Sequence, residues 1–176
     1  MMRTLLLICF VFISTLSCKD EKKNEVIEDV EKVTTYYLIR HAEKDRSDST
    51  NTNPALTVKG LERAKLWARY FDSIPLNEIY STDYKRTQQT AMHVATKQNV
   101  PTESYKPDTL INEDFMLITK GHNVLIVGHS NTTPMLDNRI LGTNTYEDIP
   151  DDDNSRLYVV TIEGDNKKCE IRKVEL

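Results

Sequence analysis

The chain has 176 residues, 39% of them hydrophobic and 28% charged, and a formal net charge of −4. That is the length of one domain with material for a sizeable core, and the acidic balance excludes a surface built to hold nucleic acid. Any anion site must therefore be local, assembled from a few arginines within an acidic protein.

In chain order, Arg3 precedes a continuous apolar run, Leu5 to Leu16. The run is too short to cross a bilayer comfortably and has no polar face, so residues 1–17 read as a secretory signal peptide. Cys18 follows in "STLSC", which resembles a bacterial lipobox with Thr15 where leucine is usual. Lipidation would make Cys18 the first residue of the mature chain; the alternative is ordinary cleavage near Ser17. Cys9 falls in the discarded segment and only Cys169 remains for the folded part, so a disulfide framework is excluded. Residues 18–33 are charged and poor in apolar side chains, and read as a solvated tether. The expectation is an exported protein, held to the bacterial envelope through a lipid on Cys18. It would face the periplasm or, if "KDE" after Cys18 acts as an export signal, the cell surface.

The folded domain is expected over residues 34–176. Thr34 to His41 reads as a strand, Asp45 to Pro54 as a polar loop, and Thr57 to Ile74 as a helix with Leu61, Ala64, Ala68 and Phe71 on one face and Thr57 as N-cap. Leu76 to Ser81 is a short strand. Asp83 to Gln98 is a helix with Asp83 as its cap, Pro101 to Lys106 an edge strand, and Asp108 to Lys120 a weak helix or ordered loop. Asn123 to Ser130 carries the unbroken apolar run Val124 to Val127 of a central parallel strand. A short helix, Thr133 to Leu141, stops at Gly142. Arg156 to Ile162 and Lys168 to Val174 pair across "GDNK" as a hairpin. This order predicts an α/β fold in three layers, with a mostly parallel central sheet and helices on both faces.

Two of the strands, "YYLIRH" and "VLIVGH", are apolar runs that end in histidine. Ligands of open α/β sheets bind beyond the carboxyl ends of the strands, so neighbouring strands would bring His41 and His129 to one crevice. Arg40 stands beside the first, and "STDYKR" places Ser81 at a strand end and Arg86 just inside the next helix. Arginines grip phosphate oxygens bidentately and stay charged. A neutral imidazole is a competent nucleophile at phosphorus, and a second can donate to oxygens that gather charge. Glu43 is placed to orient a ring or contact substrate. Lys44, and Asn131 beside the second histidine, are further substrate-binding candidates.

"LIRHAEK", "LTVKGLERA", "YSTDYKRTQQTA" and "VGHS", in that order, resemble the histidine phosphatase superfamily, the phosphoglycerate-mutase-like group, in its branch 1. The resemblance spans about Thr34 to Ile162. It implies that His41 carries the phosphoryl group as a phosphohistidine, that Arg40, Arg86 and His129 complete the phosphate pocket, and that Ser81 is the strand-end serine. It also implies hydrolysis by water with no cofactor and no metal. The segment between Arg86 and His129 is shorter than the helical insertion that carries a glutamate proton donor in larger members. Glu113 in "TLINEDF" is the candidate acid, with Asp114 as the alternative.

Blander readings stand beside these. His93 and His122 are given no role. The histidines lack metal-ligand spacing, Asp151 to Asp153 read as a solvated loop without the glycine and distal glutamate of a calcium loop, and "GHSNTTP" lacks the second glycine of a serine-hydrolase elbow. The expected function is hydrolysis of a small or glycan-linked phosphate monoester outside the cytoplasm. The alternatives are a binding lipoprotein of the same fold without catalysis, and a mutase or protein-phosphohistidine phosphatase.

Overall fold

A computed structural model describes residues 32–176. The expected signal peptide, Cys18 and the tether up to residue 31 lie outside the described residues. Among those described, no helix is long and apolar enough to cross a membrane.

Six strands form one sheet in the order β3-β2-β4-β1-β5-β6. They are β1 (Thr34–Arg40), β2 (Glu78–Ser81), β3 (Thr102–Ser104), β4 (Asn123–Gly128), β5 (Arg156–Glu163) and β6 (Asn166–Lys173). The first four run parallel, while β5 runs antiparallel to β1 and β6 antiparallel to β5. The sheet is thus mixed, with its parallel part where the sequence places it. The outer strand β6 is largely exposed and carries Lys167, Lys168, Arg172 and Lys173, charges that discourage pairing with another chain.

Period-two alternation sorts the buried strands onto two cores. Tyr37, Ile39, Leu125, Val127, Leu157 and Val159 face one side with Trp67, Ala68, Ala91 and Val94 from α1 (Val58–Tyr70) and α2 (Lys85–Gln98), and with Phe71 just after α1. Tyr36, Leu38, Val124, Ile126, Tyr158 and Val160 face the other with Leu110, Phe115, Leu136 and Ile140. Those four come from α3 (Pro107–Leu110), α4 (Glu113–Ile118) and α5 (Thr132–Leu141). Each such side chain, fully buried, contributes about 1.5–3 kcal/mol. That explains why β1 and β4 read as unbroken apolar runs: both of their faces are covered.

Local signals account for most boundaries. Thr57 caps α1, accepting from the Gly60 amide at 3.0 Å. The helix ends at Tyr70, earlier than its periodicity suggests, because Phe71–Ser73 tighten into a 3₁₀ turn before Pro75. Asp83 does not cap α2: the N-cap position falls on Tyr84, and Asp83 accepts instead from the Ser104 hydroxyl at 2.5 Å. The weak helical region resolves into α3 and α4, the latter capped by Asn112, whose side chain accepts from the Phe115 amide at 2.8 Å.

Candidate active site

The neighbouring strands β1 and β4 pair in parallel with Arg40 opposite Gly128, so both histidines emerge at the same carboxyl edge. Their rings lie 5.6 Å apart, centroid to centroid, at 68°. They open into a cavity of about 520 Å³ that Arg40, Lys44, Arg86 and Asn131 also line. The placement of His41 is over-determined. Its amide donates to the Gly128 carbonyl at 2.9 Å, its carbonyl accepts from Asn154 at 2.9 Å, and the next amide, of Ala42, donates to the Thr90 hydroxyl at 2.9 Å.

The imidazole of His41 is buried, and its Nδ1 lies 2.7 Å from the Ala42 carbonyl oxygen. A carbonyl only accepts, so Nδ1 carries the proton and Nε2 keeps its lone pair. Burial pushes the pKa of His41 down to about 3; the charges of Arg40 and Arg86 push the same way. The ring is therefore neutral at ordinary pH, the form a nucleophile requires.

His129 is set by its neighbours. Arg86 Nη2, a donor, stands 3.4 Å from His129 Nδ1, which makes Nδ1 the acceptor and leaves the proton on Nε2. That Nε2 lies 2.9 Å from the Thr82 hydroxyl, which meets the Thr87 hydroxyl at 3.0 Å; Thr87 in turn reaches the carbonyls of Thr82 and Tyr84 at 2.8 Å. The ring of Tyr84 packs edge-on against His129, and the Arg86 guanidinium lies 4.2 Å over the Tyr84 ring. Burial, with Arg86 and Arg40 in support, lowers the pKa of His129 to about 4.

The two arginines differ. Arg86 has Nε and Nη1 buried without a hydrogen-bond partner among the described residues. Buried charged donors are paired in nearly all proteins, so two orphaned N–H groups at a cavity mark a place for an anion. Arg40 is buried too, but Nη1 donates to the Pro150 carbonyl at 2.8 Å and Nη2 to Asp151 at 2.6 Å, and only Nε lacks a partner. Burial and the nearby Arg40 loosen the Arg86 proton, though a guanidinium remains charged at working pH. Cations outnumber carboxylates here, although the whole chain is acidic: Arg40, Lys44, Arg86 and Lys106 face only Asp83 and Asp151.

Several expected residues lie elsewhere. Glu113 and Asp114 occupy the exposed first turn of α4 and are not among the cavity-lining residues. Glu43 is clamped by Arg63, whose Nε and Nη2 approach its carboxylate at 2.9–3.0 Å, and lines a separate cavity of about 400 Å³. It braces the start of α1 rather than the histidines. Ser81 is buried under the site, its hydroxyl donating to the Thr82 carbonyl at 3.0 Å. Asp151 and Asp153 are not merely solvated: Asp151 pairs with Arg40 and Arg46, and Asp153 with Arg156.

Thr82, Asp83, Tyr84, Lys106 and Asp151 are among the lining residues that sequence reasoning missed. The first three were legible as the linker between a strand-end serine and Arg86; Asp151, 111 residues from Arg40, had no local signal. Among the described residues, no group of three or more His, Cys, Asp or Glu is placed to hold a metal ion.

A mixed sheet with helices on both faces and two histidines at one strand edge defines the phosphoglycerate-mutase-like α/β class. The family model of the histidine phosphatase superfamily (branch 1) matches residues 36–115. The fold is similar to that of the protein histidine phosphatase SixA complexed with tungstate: 17% identity, TM-score 0.63, covering 79% of this chain and 96% of that one. A phosphoglycerate mutase from Bacillus anthracis str. Sterne aligns at 16% identity and TM-score 0.60, covering 82% and 94%. The alpha-ribazole phosphatase from Shigella flexneri aligns at 15% and 0.58, covering 80% and 96%. No curated protein matches the chain in sequence.

Proposed function

We propose that the protein is a phosphomonoester hydrolase that works through a phosphohistidine on His41. The observation that carries this reading is a neutral, buried imidazole with its Nδ1 proton committed to the Ala42 carbonyl, next to an arginine with two orphaned buried donors. In the reaction, the Nε2 lone pair of His41 attacks phosphorus, the P–O bond to the leaving group breaks, and the leaving oxygen takes a proton. Water then attacks the phosphohistidine and gives up a proton to the base left by the first step; the P–N bond breaks and the imidazole regains its lone pair. Arg40 and Arg86 spread the charge of the phosphoryl oxygens. Burial is the main cause of the low pKa of His129 and the arginines add to it; phosphate in the cavity offsets the arginines and favours a proton on that ring, donated to the oxygens from Nδ1 while Nε2 stays on Thr82.

Asp83, Lys106 and Asn131 line the same cavity and are available to the leaving group. Asp151, held at a pKa of about 2 chiefly by Arg46 and then Arg40, is ionised and unsuited to give a proton. Asp83 is the lining carboxylate with no cation paired to it among the described residues, and it replaces Glu113 as the candidate acid for alkyl leaving groups.

Export with a lipid on Cys18 is part of the same proposal. It points to small or envelope-linked phosphate esters, glycan phosphates included, as substrates outside the cytoplasm. The test is hydrolysis of an aryl phosphate and a panel of sugar phosphates and phosphohistidine peptide by wild type and His41→Ala. Activity that vanishes in the variant supports the reading; equal rates, or none from either protein, would refute it. Cys18→Ser should release the protein from membrane pellets, and its continued sedimentation with membranes would count against lipidation.

A further inference from the structure

The side chain of Asp151 is 70% exposed, yet its Oδ1 lies 2.6 Å from Nη2 of Arg40, whose side chain is 3% exposed. The same oxygen lies 2.8 Å from Nη2 of Arg46, which comes from the polar loop on the other side. One carboxylate oxygen thus serves two guanidiniums at the rim of the cavity that Arg40 and Asp151 both line. It is an anionic oxygen on the very arginine that a phosphoryl oxygen needs. Arg40 does not depend on it for its position, because Nη1 is held by the backbone carbonyls of Pro150 at 2.8 Å and Asp153 at 3.4 Å. Arg86, by contrast, has no carboxylate among the described residues on its Nε or Nη1.

We propose that Asp151 is a built-in competitor for the phosphate clamp: its carboxylate holds Nη2 of Arg40, yields it to the incoming phosphoryl oxygen, and stays paired with Arg46. The inference rests on reading the cavity as a phosphate site. The exchange is one anionic acceptor for another. Arg46 is half exposed and keeps the displaced carboxylate charge-paired in solvent, so the swap leaves no buried ion unpaired. The consequence is a weakened grip on every phosphate, the inorganic product included, which favours product release over tight retention.

The test is calorimetric titration of wild type, Asp151→Asn and Asp151→Ala with inorganic phosphate, alongside phosphate inhibition of aryl phosphate hydrolysis. Removing a competing charge-assisted bond should tighten phosphate binding by about tenfold or more and lower the inhibition constant by the same factor. A brace for Arg40 would give the opposite sign, so weaker binding in the variants overturns the inference, as does unchanged binding. Wild type that binds no phosphate overturns the phosphate-site reading along with it. Wild type that binds, with variants that do not tighten, overturns the competitor alone.

Discussion

Replacing Arg86 by alanine should separate activity from stability. Its Nε and Nη1 are buried without partners among the described residues, so the native fold gains nothing from them while the transition state gains two charge-assisted hydrogen bonds. At about 1.5–3 kcal/mol each, their loss costs roughly 3–6 kcal/mol, or about 10²–10⁴-fold in kcat/KM at 1.36 kcal/mol per decade. The fold loses the stacking of the guanidinium on Tyr84, about 0.5–1 kcal/mol, and gains relief from the nearby charge of Arg40. The net change in unfolding free energy should stay within about 1 kcal/mol of zero. Arg86→Lys restores a charge but not the fork, and should fall between the two. The assay is steady-state hydrolysis of an aryl phosphate beside denaturant unfolding of the same preparations. An activity loss under about tenfold, or one that tracks a stability loss above about 2 kcal/mol, would refute the anion-clamp reasoning.

Three further outcomes follow from the geometry. Burial holds the folded pKa of His41 at about 3, against an ordinary value of 6.5; the unfolded chain therefore binds the proton first, and stability should fall as pH drops from 6.5 toward 3. One such histidine costs on the order of 2 kcal/mol near pH 5, and His41→Gln should flatten the measured slope; a slope that the variant leaves unchanged would place the titration elsewhere. Asp83→Asn should slow alkyl phosphates by about 10²-fold or more and spare aryl phosphates, whose leaving groups need no acid, while Glu113→Gln and Asp114→Asn leave both unchanged; a selective loss with Glu113→Gln would restore it as the donor. Gly60→Ala should destabilise the fold by about 1–3 kcal/mol or more, because a Cβ there would meet the Glu43 carbonyl oxygen at 2.2 Å; thermal unfolding at wild-type temperature would show that the helix moves away freely.

Much of this was legible because its causes are local. The apolar runs of β1 and β4 announce strands covered on both faces, and the histidines that end them sit where parallel strands present ligands. Thr57 caps its helix through a hydroxyl three residues from its partner, as capping requires. Asp83 misled for a local reason too: it suits a cap in type, but its carboxylate finds the Ser104 hydroxyl across the β2–β3 edge. Glu113 sits in the matching motif, but α4 turns it to solvent.

By itself, the sequence determined the alternation of elements, the two-sided burial of the central strands and the four residues His41, Arg40, Arg86 and His129, since each rests on periodicity or on a position at a strand or helix end. Tertiary structure alone decided which charges those residues feel. Glu43 goes to Arg63 and not to the cavity, Arg86 fixes the tautomer of His129, and Asp151 reaches Arg40 from 111 residues away. The physical reason is the range of the interactions. Helix and strand patterns are set within a few residues, whereas an ion pair or a hydrogen bond at the site depends on angstrom-scale meetings between loops that no local pattern encodes.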